Sequence, residues 1–127
     1  MTNDITVRTP TDADAPALAT LVAQLGYPAP AEVIPARLKN LSKASDSIVL
    51  VAEDQKGIVV ALMTARVFPV IHHDAPLAWL TALVVVDSAR GKGTGSMLLH
   101  RAETHAYYDN RGYERSGLRF TKKLGAD

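Results

Sequence analysis

Three glycines alternate with other residues in a short basic segment late in the chain. Residues 90–96 read Arg-Gly-Lys-Gly-Thr-Gly-Ser, after an apolar run at residues 77–86 and before a segment with helical apolar spacing. Glycine permits positive φ and close approach of the backbone to a ligand, and the first turn of a helix has unpaired N–H groups at the positive end of its dipole. The segment therefore predicts an anion site, to which Arg90 and Lys92 add positive charge.

Two common phosphate-binding loops do not match this segment. A P-loop ends in Gly-Lys-Ser/Thr, whereas Lys92 precedes Gly93 here. The dinucleotide fingerprint Gly-x-Gly-x-x-Gly needs unequal spacing, whereas Gly91, Gly93 and Gly95 are evenly spaced. From local sequence alone, a merely flexible turn stays an alternative.

The wider sequence resembles the GNAT superfamily of N-acetyltransferases. Residues 90–95 are similar to its acetyl-coenzyme A signature, Arg/Gln-x-x-Gly-x-Gly/Ala, and they follow a Leu-x-Val pattern at residues 83–85, as in that family. Residues 104–113 (THAYYDNRGY) are similar to a second family motif, Ala-His-x-Phe-Tyr-x-x-x-Gly-Phe. The resemblance covers almost the whole chain. It implies an α/β (α+β) fold: a mixed central sheet with antiparallel N-terminal strands, a splayed parallel pair at the cofactor site, and helices on both faces.

The resemblance also implies an activity and a cosubstrate. The activity would be direct transfer of an acetyl group from acetyl-CoA to an amino group of a small molecule or a protein, without a metal. Main-chain groups of Leu83 and Val85, with Val84 between them, would pair with the pantetheine arm like an added strand. An N–H near Val85 would polarise the thioester carbonyl. The loop would hold the pyrophosphate through Arg90, Gly91, Lys92, Gly93, Thr94, Gly95 and Ser96.

Tyr108 aligns with the general acid of the family. A thiol has a pKa near 8.5 and a tyrosine near 10, so protonation of the departing thiolate is uphill by only about 2 kcal/mol. The alternative is a core aromatic residue with a satisfied hydroxyl, which is the preferred interpretation for Tyr107.

The attacking amine needs help, because a simple alkyl amine is neutral in only about one of 2,500 molecules at pH 7. Relatives often supply a glutamate from the fourth strand, and the corresponding position here is Thr81. His72 and His73 are the nearest candidates for a base or a proton relay. The alternative is that both are solvent-facing residues without a role, and no third ligand at recognisable spacing supports a metal site.

One departure from the family concerns length. The family has a helix, a parallel fifth strand and a fourth helix between the two motifs, whereas here only residues 96–103 separate them. A parallel crossover needs a dozen or more residues. We therefore expect the fifth-strand segment to be absent, either as a true deletion or because residues are missing from the sequence near residues 103–106. A catalytically silent CoA-binding sensor or an interaction module is the alternative function that such a loss would permit.

Composition limits the remaining function classes. The chain has 127 residues, which predicts a single domain over residues 1–127, and no cysteine. Its 14 basic and 13 acidic residues give a net charge of +1, which argues against a nucleic-acid partner. The longest strongly apolar run, residues 81–86, is far shorter than the ~20 residues of a membrane span. The start lacks the features of a signal peptide, so we expect a cytoplasmic protein. The resemblance leaves a homodimer open.

Periodicity places the elements that must position these residues. A strand is predicted at residues 4–8, followed by a helix that carries Leu18, Leu21, Val22 and Leu25 and ends at Gly26. A second helix is predicted at residues 31–41 and a hairpin at residues 47–53 and 58–68. Residues 69–76 are expected to form a loop, residues 77–86 a buried strand, and residues 113–124 a final strand with a bend at Gly117.

Overall fold

The computed structural model describes residues 5–109 and 119–122, and the side chains at positions 73, 75, 103–109 and 119–122 lie outside that description. The elements in chain order are β1 (Thr6–Arg8), α1 (Ala15–Gln24), α2 (Ile34–Lys43), β2 (Ser47–Glu53), β3 (Val59–Val70), β4 (His73–Val85), α3 (Thr94–Asp109) and β5 (Arg119–Lys122). Short 3-10 turns at Asp12–Asp14, Ala31–Val33 and Asp87–Ala89 lead into the helices or the glycine loop.

The strands form one sheet in the order β1-β2-β3-β4-β5, antiparallel up to β4, with β5 parallel to β4. Helix α3 covers one face, where its Leu98 and Ala102 are buried against strand residues such as Met63 and Leu80. Helices α1 and α2 cover the other face. There the helix residues Leu18, Leu21 and Ile34 pack against the strand residues Val51, Leu62 and Val84. The mixed sheet with helices on both faces confirms the predicted fold class.

The first two helices form where the periodicity predicts them. Pro16 and Pro35 both lie in a first helical turn, where the missing N–H has no helical partner to lose. Gly26 has φ +100°, a left-handed conformation that glycine adopts without steric cost and that ends α1.

An ion-pair cluster ties the start of the chain to the sheet. The Arg8 guanidinium donates to both carboxylate oxygens of Asp14, at 2.8 and 2.9 Å, and to Glu53 at 2.5 Å. Asp14 also accepts the backbone N–H of Thr11 at 2.7 Å. The bond from Arg8, together with that N–H, lowers the pKa of Asp14 below its usual value.

The prediction of a loop at residues 69–76 is wrong. Strand β3 continues to Val70, β4 begins at His73, and these two residues pair across a tight turn. Pro69 lies where the register shifts, between the Phe68–Leu77 pair and the Val70–His73 pair. A proline is tolerated in a strand at a position that donates no ladder hydrogen bond, so Pro69 does not end β3.

A parallel strand follows α3, later in the chain than the fifth-strand segment that we expected to be absent. Strand β5 pairs with β4 in parallel, with Leu77 opposite Arg119 and Leu80 opposite Lys122. Helix α3 runs over 16 residues, through the start of the tyrosine motif, and so it is long enough to form the crossover. The segment expected as the last strand thus takes the place beside β4. Residues 110–118, with Gly117, lie outside the described residues.

Candidate active site

A β-bulge divides β4 into two halves that differ in their strand partners. Thr64 pairs with Ala82 and Ala65 pairs with Leu80, so Thr81 is the extra residue. The pairing of β4 with β5 reaches Leu80 and stops before the bulge. A bulge bends its strand and disrupts the hydrogen-bond ladder locally, and here the pairing with β5 ends next to it while the pairing with β3 continues. Residues 82–85 pair with β3 on one side, and among the described residues no strand lies on their other side, which we call the open edge.

Main-chain groups at the open edge alternate in direction. The N–H of Val86 donates to the carbonyl of Val60 at 2.9 Å, which fixes the side of the strand that faces β3. Because backbone groups alternate along a strand, Val84 also faces β3, whereas the groups of Leu83 and Val85 point toward the open edge. The side chain of Val84 is 6% exposed and packs under α1. The two residues expected to pair with the pantetheine arm thus present their main chain outward.

The glycine loop joins the open edge to α3. Gly91 and Gly93 have φ +77° and +78°, and an added Cβ at either would meet no heavy atom within 4 Å. The first α-helical bond runs from Met97 N–H to Gly93 carbonyl, at 3.0 Å. The N–H groups of residues 94–96 precede that bond and have no carbonyl partner within the helix. The loop therefore offers an outward-facing cradle and a helix start to an anion.

Packing fixes the start of α3 against β4. Thr94 is 2% exposed, and its hydroxyl points toward the Ala89 carbonyl at 3.5 Å. A Cβ built on Gly95 would lie 3.8 Å from the side chain of Leu83, which is an ordinary contact. Ser96 and Lys92 are exposed. The helix start and the open edge are therefore held side by side.

Arg90 binds back onto the strand and the 3-10 turn that precede the glycine loop. Its Nε donates to the Val85 carbonyl at 2.9 Å, and a terminal nitrogen lies 2.8 Å from the Asp87 carboxylate. The side chain is 61% exposed. Sequence reasoning missed this contact, because the five-residue separation becomes a bond only through the 3-10 turn at Asp87–Ala89.

The structure does not bring the candidate histidines to the open edge. His72 is exposed in the turn between β3 and β4, and His73 is the first residue of β4. Ten residues of strand separate His73 from Leu83, about 30 Å at the usual rise. The side chain of His73 lies outside the described part.

Tyr107 and Tyr108 lie in the last turns of α3, and their side chains are outside the described part. Fourteen residues separate Tyr108 from Thr94, about 21 Å along the helix axis. The general-acid role stays a prediction. Residues 110–113 of the tyrosine motif also lie outside the described residues.

Comparisons with known proteins agree with this fold. The family model described as "Acetyltransferase (GNAT) domain" matches residues 45–125. A search of curated proteins finds no match. A GNAT family acetyltransferase structure from Staphylococcus aureus is similar at 22% identity and a TM-score of 0.75, covering 96% of this chain and 87% of that one.

Two further solved structures carry substrates or cofactor in their names. Glucosamine-6-phosphate N-acetyltransferase from Arabidopsis thaliana is similar at 16% identity and a TM-score of 0.74, covering 95% of this chain and 82% of that one. The aminoglycoside N-acetyltransferase AAC(6')-Iy in complex with CoA is similar at 15% identity and a TM-score of 0.74, covering 98% of this chain and 80% of that one.

The described residues, 5–109 and 119–122, contain no helix that is long and apolar enough to cross a membrane, and no group of three or more side chains that could together hold a metal ion. The match over residues 45–125, together with the mixed sheet and the glycine loop, shows that the chain belongs to the GNAT acetyltransferase family.

Proposed function

We propose that this protein is an N-acetyltransferase that transfers the acetyl group of acetyl-CoA to an amino group of a small molecule. The observation that carries the proposal is the junction of the open edge with the glycine loop. The outward main chain of Leu83 and the outward N–H of Val85, whose carbonyl accepts from Arg90, suit the amides of the pantetheine arm. The N–H groups at the start of α3 suit the pyrophosphate.

Acetyl transfer requires an attacking amine, a group that stabilises the oxyanion, and an acid that protonates the departing thiolate. The amine nitrogen attacks the thioester carbonyl, the new C–N bond forms, and the C–S bond breaks. The N–H groups of Leu83 and Val85 both point to the open edge, and one of them would stabilise the oxyanion that develops. Tyr108 would give its proton to the departing thiolate and regain one from the nitrogen through solvent. A small-molecule acceptor is supported by the structural neighbours, whose names include aminoglycoside and glucosamine-6-phosphate acetyltransferases.

Calorimetry and a thiol-release assay test the proposal. We expect acetyl-CoA to bind and thiol to be released in the presence of a suitable amine. Tyr108→Phe should lower kcat by about 100-fold or more if Tyr108 is the general acid, and Tyr107→Phe is the matched control. Absence of acetyl-CoA binding would contradict the proposal. Binding without transfer to any amine would instead favour a silent CoA sensor.

A further inference from the structure

We infer that one exposed face of the β3–β4 hairpin binds the acceptor, and that the acceptor is a ring-shaped amine with several hydroxyl groups, an amino sugar in chemical class. This inference rests on the proposed function. The surface consists of Thr64, Arg66, Phe68, Trp79 and Thr81, and we call it the hairpin face.

The side chains of the hairpin face share one side of the sheet. Arg66 is directly opposite Trp79 in the β3–β4 register. The hydroxyls of Thr64 and Thr81 are 2.6 Å apart, and the Arg66 guanidinium lies 5.5 Å from the centre of the Phe68 ring. Because alternate residues of β3 share a side, this surface continues the one that bears Leu62 under α1.

The helices cover only part of that side. Leu62 and Val84 are 5% and 6% exposed, whereas Trp79 is 40% exposed and the Arg66 side chain 57%. An indole left largely open beside polar groups is typical of a binding surface, because its ring is apolar while its N–H needs a polar partner. The uncovered part begins at the bulge, where β4 also stops pairing with β5.

The hairpin face lies beside the open edge, so it would contact the acceptor amine rather than the body of acetyl-CoA. Thr81 precedes Ala82, the first residue of the open edge, and is two residues, about 7 Å along the strand, from the outward N–H of Leu83. Trp79 is two residues earlier, about 7 Å along the strand. An amine held near Thr81 would therefore have the rest of its skeleton over the indole of Trp79.

The groups present define the chemical class. The indole offers a flat apolar platform for one face of a ring. The paired hydroxyls of Thr64 and Thr81 use one proton between them and keep further donor and acceptor capacity for ligand hydroxyls. Arg66 binds Asp46 at 2.5 Å, so its charge is balanced while its fork of donors is held in place over Phe68. A neutral, hydroxyl-rich ring fits this surface better than a polyamine chain or a strongly anionic ligand.

The amine of such a ring also eases the need for a base. Oxygen substituents near the nitrogen withdraw electrons and lower the pKa of the amine below the value near 10.4 of a simple alkyl amine. A larger fraction is then neutral at pH 7. An amino sugar therefore suits an active site that has Thr81 where relatives often place a glutamate.

The test compares three acceptors with the full chain: glucosamine, 1,5-diaminopentane and the N-terminus of a tripeptide. We expect the highest kcat/KM with glucosamine. Trp79→Ala should raise the KM for glucosamine about tenfold, and the isosteric Thr81→Val several-fold, while the KM for acetyl-CoA stays unchanged. Ile58→Ala, at an exposed residue before β3, is the matched control and should change neither constant.

Three outcomes would overturn the inference while the proposed function stands. One is a higher kcat/KM for the diamine or the tripeptide. The second is an equal loss for all three amines in Trp79→Ala, with thermal unfolding showing that the variant is folded. The third is a dimer in sedimentation that Trp79→Ala dissociates without any change in the KM for glucosamine, since a second copy would then cover the hairpin face. Failure of acetyl-CoA binding would instead reject the proposed function.

Discussion

The Nε of Arg90 lies 2.9 Å from the carbonyl oxygen of Val85, so the first residue of the glycine segment binds back onto the strand that precedes it. The Asp87 carboxylate holds the same guanidinium at 2.8 Å. The bond joins the end of the open edge to the start of the loop. In this position Arg90 links the end of β4 to Asp87, whereas Gly91 and Gly93 face open space.

The Arg90 contact predicts a selective loss of affinity. Arg90→Ala should weaken CoA several-fold by loosening the end of β4, but should leave ADP unchanged, because ADP has a diphosphate and no pantetheine arm. Calorimetry with both ligands measures this difference. Lys92→Ala is the comparison variant, since a loop cation that contacts phosphate would affect both ligands. Equal weakening of ADP by Arg90→Ala would show that Arg90 is a phosphate ligand.

Substitution of Gly91 and of Gly95 should affect CoA affinity differently, because only Gly91 has a positive φ. Gly91 has φ +77°, where a non-glycine residue costs about 1–2 kcal/mol. Gly91→Ala should therefore distort the loop and weaken CoA binding. Gly95→Ala should change little, because φ is not positive there and its Cβ would make an ordinary 3.8 Å contact. Calorimetry on both variants checks the contrast, and equal affinities would contradict a role for the loop conformation.

The Asp14–Arg8 ion pair should make the free energy of unfolding depend on pH in the acidic range. The folded pKa of Asp14 is lowered, so the pair's stabilisation is present above the unfolded value of about 3.9 and is lost as pH falls through the folded pKa. Asp14→Asn should cost about 1–3 kcal/mol at pH 7, measured by urea unfolding, and the loss should shrink at low pH. Asp12→Asn, an exposed neighbour, is the control. A pH-independent difference would show that charge is not the cause.

The buried side chain of Leu98 should make a large contribution to the free energy of unfolding, because it packs α3 against the sheet. Its side chain is fully buried between α3 and the sheet. Leu98→Ala should lower the free energy of unfolding by about 2–5 kcal/mol, because it removes buried apolar contacts and leaves a cavity. Chemical denaturation measures the change. A loss near that of an exposed control, Met97→Ala, would mean that α3 is not packed on the sheet as described.

Local patterns were sufficient for the helices, the first hairpin and the glycine loop. Periodic apolar residues such as Leu18 and Leu21, the stop at Gly26 and the family signature all act within a few residues, so they are readable from sequence. The boundaries near Pro69 were mispredicted because the Val70–His73 pairing, rather than the local turn preference, decides where β3 ends. Likewise, the extent of α3 depends on the crossover to β5.

The sequence by itself determined the family, the mixed fold and the glycine loop that opens α3. Only the tertiary structure decided where Arg90 binds, that Thr81 is a bulge, and that Trp79 and Arg66 share an exposed face. It also separated His73 from the open edge by most of the length of β4. The reason is physical: motifs report local backbone needs, whereas side-chain contacts depend on strand register and on which faces the helices cover.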